Sequence, residues 1–260
     1  MIPTILHFIW LGPLKIPTVI ETWREMHPKW TINIWKDEDI NSDRFINKAI
    51  YDLPNKKYNQ KSDIARLEIL YRYGGVYVDA DILSVKPIDK LLQNTDLFLF
   101  QEKLGLLSNS IIGSSVKNRT ILNLIKHIKT NFTVEESVWK STGPGIITTF
   151  LTDRKLIRIP ASHSQYDITS RTKSLVIYPY YYINFMTDVI KQCRFKPLTI
   201  DMIHNTPINK DLKYIKFNKV DKNNIYGVQL WMGGRKDNYR KVLNIYLILL
   251  NLYLYLNTVV

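Results

Sequence analysis

An α/β fold is expected of this 260-residue chain, with strands joined by crossover connections into one sheet. Three observations point to it: a β-rich opening run, a helix leading to a second β-rich run, and a later helix that stops at paired glycines and gives way at once to a strand. Residues 4–11 (TILHFIWL) are β-rich and bounded by Pro3 and by Gly12-Pro13, which marks a buried first strand. Pro17 opens a helix over 17–27, and 31–35 (TINIW) form the second strand. Residues 61–73 read as a helix ended by Gly74-Gly75, followed by a strand over 76–82 (VYVDADI). Apolar runs at 97–100, 111–112 and 175–178 supply further strands. With no internal repeat or low-complexity linker, residues 1–240 read as one domain and 241–260 as a separate apolar tail.

Composition narrows the partners. Hydrophobic residues make up 45% of the chain, enough for a sizeable core, and 6 tryptophans and 16 tyrosines supply flat faces for stacking. Lys and Arg number 36 against 23 Asp and Glu, a net charge of +13 that favours anionic partners: nucleic acid, acidic lipid or a phosphorylated substrate. No nucleic-acid-binding motif appears and the positive charge is spread along the chain, so nucleic acid is not expected as a partner. The lone Cys193 excludes an intramolecular disulfide framework and a cysteine zinc site. The opening MIPTILHFIWLGP lacks the form of a signal peptide, so the chain is expected in the cytoplasm.

The tail differs from the rest. Residues 242–260 carry no charge and follow the basic run RKDNYRK (235–241). Nineteen such residues reach the length of a membrane span, but Asn244 and Asn251 lie seven apart on one side of a helix. A helix packed on the domain, an interfacial helix peripheral to a membrane surface, and a span all remain open.

The chemistry is concentrated in residues 61–82, KSDIARLEILYRYGGVYVDADI. Strand alternation puts Tyr77, Asp79 and Asp81 on one face and Val76, Val78, Ala80 and Ile82 on the other. Two carboxylates about 6–7 Å apart along a strand repel one another unless a cation lies nearby, and a hard divalent ion with oxygen ligands resolves this. On the preceding helix, Asp63 and Arg66 share a face at three-residue spacing and could address one ligand. The same spacing suits a surface ion pair, with Asp63 near the helix start where an acid is expected in any case.

This stretch resembles the signature of glycosyltransferase family 32, the retaining GT-A enzymes of the capsular-polysaccharide and initiating α-1,6-mannosyltransferase type. It is also similar to the glucosyltransferase domains of large clostridial toxins. The matching residues are Ser62-Asp63, Arg66, Tyr71, Gly74-Gly75, Tyr77, Asp79 and Asp81, with Ile5, His7, Ile9-Trp10 and Gly12 in the opening strand. Lys86-Pro87-Ile88-Asp89, Asn109 in NSIIGSS, and Gly143-Pro144-Gly145 match later blocks.

The resemblance implies a GT-A catalytic domain, a Rossmann-like nucleotide-sugar-binding sheet flanked by helices. It implies divalent-metal-dependent transfer, with retention of configuration, from a UDP- or GDP-sugar to a glycan, lipid-linked or protein acceptor. Ile9 and Trp10 would border the nucleotide, with the base stacked on Trp10, and Asp63 and Arg66 would hold donor-sugar hydroxyls. Asp79 would serve ribose, sugar or cation, and Asp81 would ligate Mn²⁺ or Mg²⁺. Tyr77, Asn109 and Gly143 complete the expected donor site, and Asp63, Arg66, Asp79 and Asp81 form the expected catalytic set.

The chain departs from the family near its end. Where the family carries a motif like Y-A-V-H-x-W-x-G-S-W, residues 226–236 read YGVQLWMGGRK. Gln229 stands in place of a metal-ligating His, Gly234 in place of Ser, and Arg235 in place of Trp. A Gln carbonyl can ligate a hard cation, with His204 a poorer candidate, and Arg235 can bind a diphosphate directly. The same changes fit a catalytically weakened protein that binds a nucleotide-sugar or glycan. His7 is expected to pack and hydrogen-bond inside the first strand.

Overall fold

The computed structural model describes residues 1–54, 56–102, 106–159, 168–179, 182 and 226–229. Its opening strand, β1 (Ile5–Ile9), is apolar on both faces and is flanked on both sides in the sheet. β2 (Thr31–Trp35) and β3 (Gly75–Val78) run parallel to it on either side. β6 (Leu106–Ser114) is antiparallel to both β3 and β5 (Leu97–Glu102), and β9 (Leu175–Tyr178) runs parallel to β5. The order is β2-β1-β3-β6-β5-β9. The α/β class expected from the sequence is the class observed.

Alternation along the strands divides the core into two layers. His7, Ile9, Tyr77, Leu97 and Leu99 face α3 (Tyr58–Tyr73), α4 (Arg119–Asn131) and α6 (Pro144–Asp153). Leu6, Phe8, Val76, Val78, Phe98 and Phe100 face the other way, where α1 (Ile20–Met26) contributes Ile20 and Trp23. Every strand residue so placed is buried. Full burial of such a side chain stabilises by about 1.5–3 kcal/mol relative to exposure.

α3 differs from an ordinary surface helix because its buried set includes Gln60, Asp63, Arg66 and Glu68 beside Ile64, Leu67 and Leu70. Gly74 caps it at φ +63°, its N–H bonding to Leu70 O, and Gly75 follows at φ +88°. Both dihedrals favour a residue without Cβ, and a Cβ on Gly75 would lie 2.6 Å from Ile5 O. The chain thus turns from α3 directly into β3 beside β1. His7 locks the junction: its Nε2–H donates to Gly74 O at 2.9 Å, and its Nδ1 accepts from Trp35 Nε1 at 3.2 Å. Burial holds the imidazole neutral, lowering its pKa to about 4, so His7 serves the architecture as expected.

Three expectations need correction. The helix expected over 17–27 begins at Ile20, because residues 17–19 form a turn closed by Ile20 N–H to Pro17 O at 3.4 Å. The strand expected over 76–82 ends at Val78; Asp79-Ala80-Asp81 turn, with Ile82 N–H bonding to Asp79 O at 3.1 Å. β4 (Ile82–Ser84) then leaves the main sheet to pair antiparallel with β10 (Gly227–Gln229). Asp79 and Asp81 therefore do not share a strand face, because their acidic side chains occupy a turn, which Asp favours over a strand interior. Asp63 is also not near a helix start: α3 begins five residues earlier, at Tyr58.

Short β7 (Ile157–Arg158) and β8 (Thr169–Ser170) pair beyond α6. Residues 241–260 and Cys193 lie outside the described residues. Among the described residues, no helix is long and apolar enough to cross a membrane.

Candidate active site

The carboxyl ends of β1, β3 and β5 reach one edge of the sheet, where open α/β folds place their ligands. Arg66 lies at the centre. From α3 its Nη2 meets Asp63 Oδ1 at 2.9 Å and its Nη1 meets Asp79 Oδ1 at 3.2 Å, so one guanidinium joins the helix to the turn after β3. Nη1 also donates to Asn109 O at 2.6 Å, and Cζ sits 4.3 Å from the Tyr77 ring centroid. Burial opposes the guanidinium's charge, but Tyr77, Asp79, Asp63 and Asp81 act together to raise its pKa.

The surface ion pair that fits Asp63 and Arg66 in sequence is instead a buried one: their side chains are 9% and 6% exposed. Asp63 Oδ1 also accepts from Asn109 Nδ2 at 2.8 Å, and Oδ2 accepts from Thr142 Oγ1 at 3.2 Å. Burial nevertheless pushes this carboxyl up to about 6, against the pull of Arg66. A buried charge cluster of this kind is costly to form, and such clusters concentrate where a protein binds or reacts.

β6 explains how Asn109 arrives. Leu99 pairs with Ile112 and the next residue, Phe100, with Ser108, so residues 109–111 bulge out of the β5 ladder. The bulge aims Asn109 at Asp63, and Ser110 O accepts the Asp79 backbone N–H at 2.7 Å. Tyr77 is buried and donates its hydroxyl to Asp79 Oδ1 at 2.6 Å, fixing that carboxylate. Asp79 still leaves 26% of its side chain exposed.

The second aspartate is reached from the far end of the chain. β10 pairs Gln229 with Ile82, and Gln229 Nε2 donates to Asp81 Oδ1 at 3.2 Å. The residue at the family's histidine position is therefore at this aspartate.

Trp10, half-buried just past β1, donates Nε1–H to Leu14 O at 2.7 Å, and Ile9 is packed in the core beside it. Gly143 is buried and caps α6, one residue after Thr142; it borders the cluster through that neighbour. Arg235, Gly234 and His204 lie outside the described residues. Sequence reading did not single out Thr142, which stands just before the recognised Gly143-Pro144-Gly145 block.

A divalent cation fits the chemistry of this edge. Among the described residues no group of three or more His, Cys, Asp and Glu converges as a complete protein cage. Asp79 and Asp81 offer hard oxygens on a turn, and Asp63 adds a third carboxylate against the single Arg66. Mg²⁺-like ions are held by one or two carboxylates plus phosphate oxygens and water, a donor set that two aspartates on a turn fit.

Residues 13–98 match the family described as "Glycosyltransferase sugar-binding region containing DXD motif", which bears out the resemblance read from the sequence. Inositol phosphoceramide mannosyltransferase 1 of Schizosaccharomyces pombe is 35% identical over 159 residues, covering 55% of this chain and 49% of that protein. Mannosyl phosphorylinositol ceramide synthase CSH1 of Saccharomyces cerevisiae is 29% identical over 168 residues, covering 57% and 42%. The matched region thus spans about half the length of these relatives or less. Among solved structures, the PaToxG glycosyltransferase aligns with a TM-score of 0.48 at 21% identity, over 59% of this chain and 69% of that one.

Proposed function

We propose that this chain, whose residues 13–98 carry the DXD-containing glycosyltransferase sugar-binding region, is a GT-A enzyme that moves a hexosyl group from a nucleoside-diphosphate sugar to an acceptor hydroxyl. The observation that carries the reading is the buried Asp63–Arg66–Asp79 cluster at the carboxyl edge of the sheet. In this reading Trp10 stacks the uracil or guanine base, worth about 1–3 kcal/mol by analogy with other base-stacking sites. Asp63 and Arg66 receive donor-sugar hydroxyls, with Asn109 and Thr142 holding the carboxylate in place. Tyr77 and Arg66 fix Asp79 for the ribose, sugar or cation, and Gln229 steadies Asp81.

Asp79, Asp81 and the Gln229 carbonyl would hold Mn²⁺ or Mg²⁺, which neutralises charge on the departing diphosphate. Arg235 would add a direct contact to the same group. Retention of configuration follows from departure and attack on one face of the sugar. The names of the yeast relatives point to mannosyl transfer onto an inositol-phosphate-bearing lipid, a reading that suits the net charge of +13. The basic run and apolar tail over 235–260 would then bring the enzyme to the membrane surface that carries such an acceptor.

Calorimetry with UDP and GDP tests the donor site. Binding of one nucleotide in Mn²⁺ or Mg²⁺, lost on chelation and in Asp81→Ala, is expected; equal binding by wild type and variant with chelator contradicts it. Gln229 in place of a histidine supports a second reading, a protein that binds the donor without turnover. Nucleotide binding without donor cleavage would favour that alternative.

A further inference from the structure

Past the Asp79-Ala80-Asp81 turn the chain enters β4, which among the described residues pairs with one strand, β10. Just beyond β4, Val85 N–H bonds Tyr226 O at 3.0 Å, and bonding residues alternate along an antiparallel ladder, so Ile82 and Ser84 turn their backbone groups away from β10. α1 meets them with side chains. Trp23 Nε1–H donates to Ile82 O at 2.7 Å, and Thr22 Oγ1 accepts the Ser84 N–H at 3.0 Å while its own proton goes to Val19 O. A helix thus closes the strand edge that a third strand would otherwise close.

The hold continues along the next segment. His27, at the end of α1, stacks on Trp23 with ring centroids 5.4 Å apart. Its Nδ1–H donates to Trp23 O at 3.0 Å, and its Nε2 accepts the Ile88 N–H at 3.0 Å. Trp30 Nε1–H donates to Asp89 Oδ1 at 3.1 Å, so the Lys86-Pro87-Ile88-Asp89 block docks against this end of α1. Trp23 and His27 are 0% and 2% exposed, and Phe8 of β1 meets the Trp23 ring edge-on. α1 therefore ties β4 and the block after it to the central sheet.

Asp81 lies at the start of this tied segment. The residue after it, Ile82, has both backbone groups fixed: its N–H by Asp79 O in the turn at 3.1 Å, its carbonyl by Trp23. Gln229 holds the Asp81 side chain from β10, while Trp23 holds the adjoining backbone from α1. A small divalent ion accepts little displacement of its oxygen ligands, and groups that orient such ligands contribute much of the affinity. We infer that Trp23 is a positioning residue for the cation site, its indole N–H holding Ile82 O so that Asp81 meets the ion, with Thr22 and His27 steadying the same segment. The assignment rests on the metal-dependent glycosyltransferase reading.

Trp23→Phe keeps a ring in the core and deletes the indole N–H. Calorimetry of Mn²⁺ with UDP or GDP present, and Mn²⁺-dependent release of UDP or GDP from nucleotide-sugars, would be measured for wild type, Trp23→Phe, Thr22→Val and Ile128→Val. In Trp23→Phe, Mn²⁺ should bind about tenfold more weakly and half-maximal release should need about tenfold more Mn²⁺, the size of effect that ligand-orienting groups show. Donor KM at saturating Mn²⁺ should stay within about twofold, because the interaction lost is to the ion rather than to the sugar. Thr22→Val should weaken Mn²⁺ binding in the same direction. Ile128→Val trims the core on the opposite face of the sheet, so it should lower the urea midpoint and leave Mn²⁺ binding as in the wild type, which separates positioning from loss of stability. Unchanged Mn²⁺ binding in Trp23→Phe, or an equal loss in Ile128→Val, overturns the assignment. The expected loss of binding without release from any donor supports it and overturns turnover alone; no Mn²⁺ binding by the wild type overturns both.

Discussion

Asp63 owes its character to neighbours rather than to sequence position. Asp63→Ala removes one of the two carboxylates paired with the buried Arg66 and leaves Asp79 as the other, so it should lower the urea midpoint by less than the about 3–5 kcal/mol of a fully stranded buried charge. Its pH behaviour has a definite sign. Unfolded, Asp63 titrates near 3.8; folded, burial pushes it up to about 6, so within that window the folded chain holds the extra proton. Its contribution to stability is complete below 3.8 and is lost as pH rises through about 6. His7 runs the other way: with its folded value lowered from 6.5 to about 4, its contribution is complete above 6.5 and lost as pH falls through about 4. Asp63→Asn removes the first effect and leaves the second. Urea titrations across pH 4 to 6.5 should therefore show the variant gaining stability relative to wild type as pH rises. A difference independent of pH would refute the Asp63 shift.

At the scale of elements, the α3–β3 junction carries the site. Gly75→Ala sets a Cβ 2.6 Å from Ile5 O on a residue at φ +88°, and such backbone strain alone costs about 1–3 kcal/mol. The variant should melt at lower urea and lose donor binding together, since Asp79 and His7 both depend on this turn; unchanged stability would contradict the junction's role. The junction was legible in sequence because paired glycines after a helical run have few other uses, and β2 and β9 lie where their apolar runs placed them. Other features were not legible, for physical reasons. The start of α3 has no side-chain cap, so nothing local marked Tyr58 as its first residue and Asp63 seemed terminal. The DXD run alternates like a strand, yet its pairing with β6 ends at Val78 and Asp79 O instead accepts from Ile82 N–H in a turn. β6 carries Ser108, Asn109 and Ser110 in its middle, and of these Asn109 bonds Asp63 and Ser110 O accepts the Asp79 N–H, so a polar run hides the strand. Gln229 reaches Asp81 through a three-residue strand, 148 positions away, that no local pattern announces.

At the scale of the whole molecule, a chain of net charge +13 gathers Asp63, Asp79 and Asp81 around Arg66 at one edge of its sheet, where the proposed donor would bind. In the proposed reading a cation would sit at that edge, and the basic surface would meet an anionic acceptor or lipid. The uncharged tail over 242–260, preceded by the basic run 235–241, gives a second test. The full chain should sediment with vesicles of phosphatidylcholine and phosphatidylserine, and a chain ending at residue 241 should not. Equal recovery of both in the supernatant would remove the membrane reading without touching the donor site. In the proposed reading the turn after β3 presents Asp79 and Asp81 to a cation that would hold the diphosphate of a nucleotide-sugar. The most direct measurement is release of UDP or GDP from a panel of nucleotide-sugars, with and without divalent ion, by wild type and an Asp79→Ala/Asp81→Ala double variant. Metal-dependent release by the wild type and none by the variant is the expected result; release that survives both the chelator and the double substitution would refute a cation held by these aspartates.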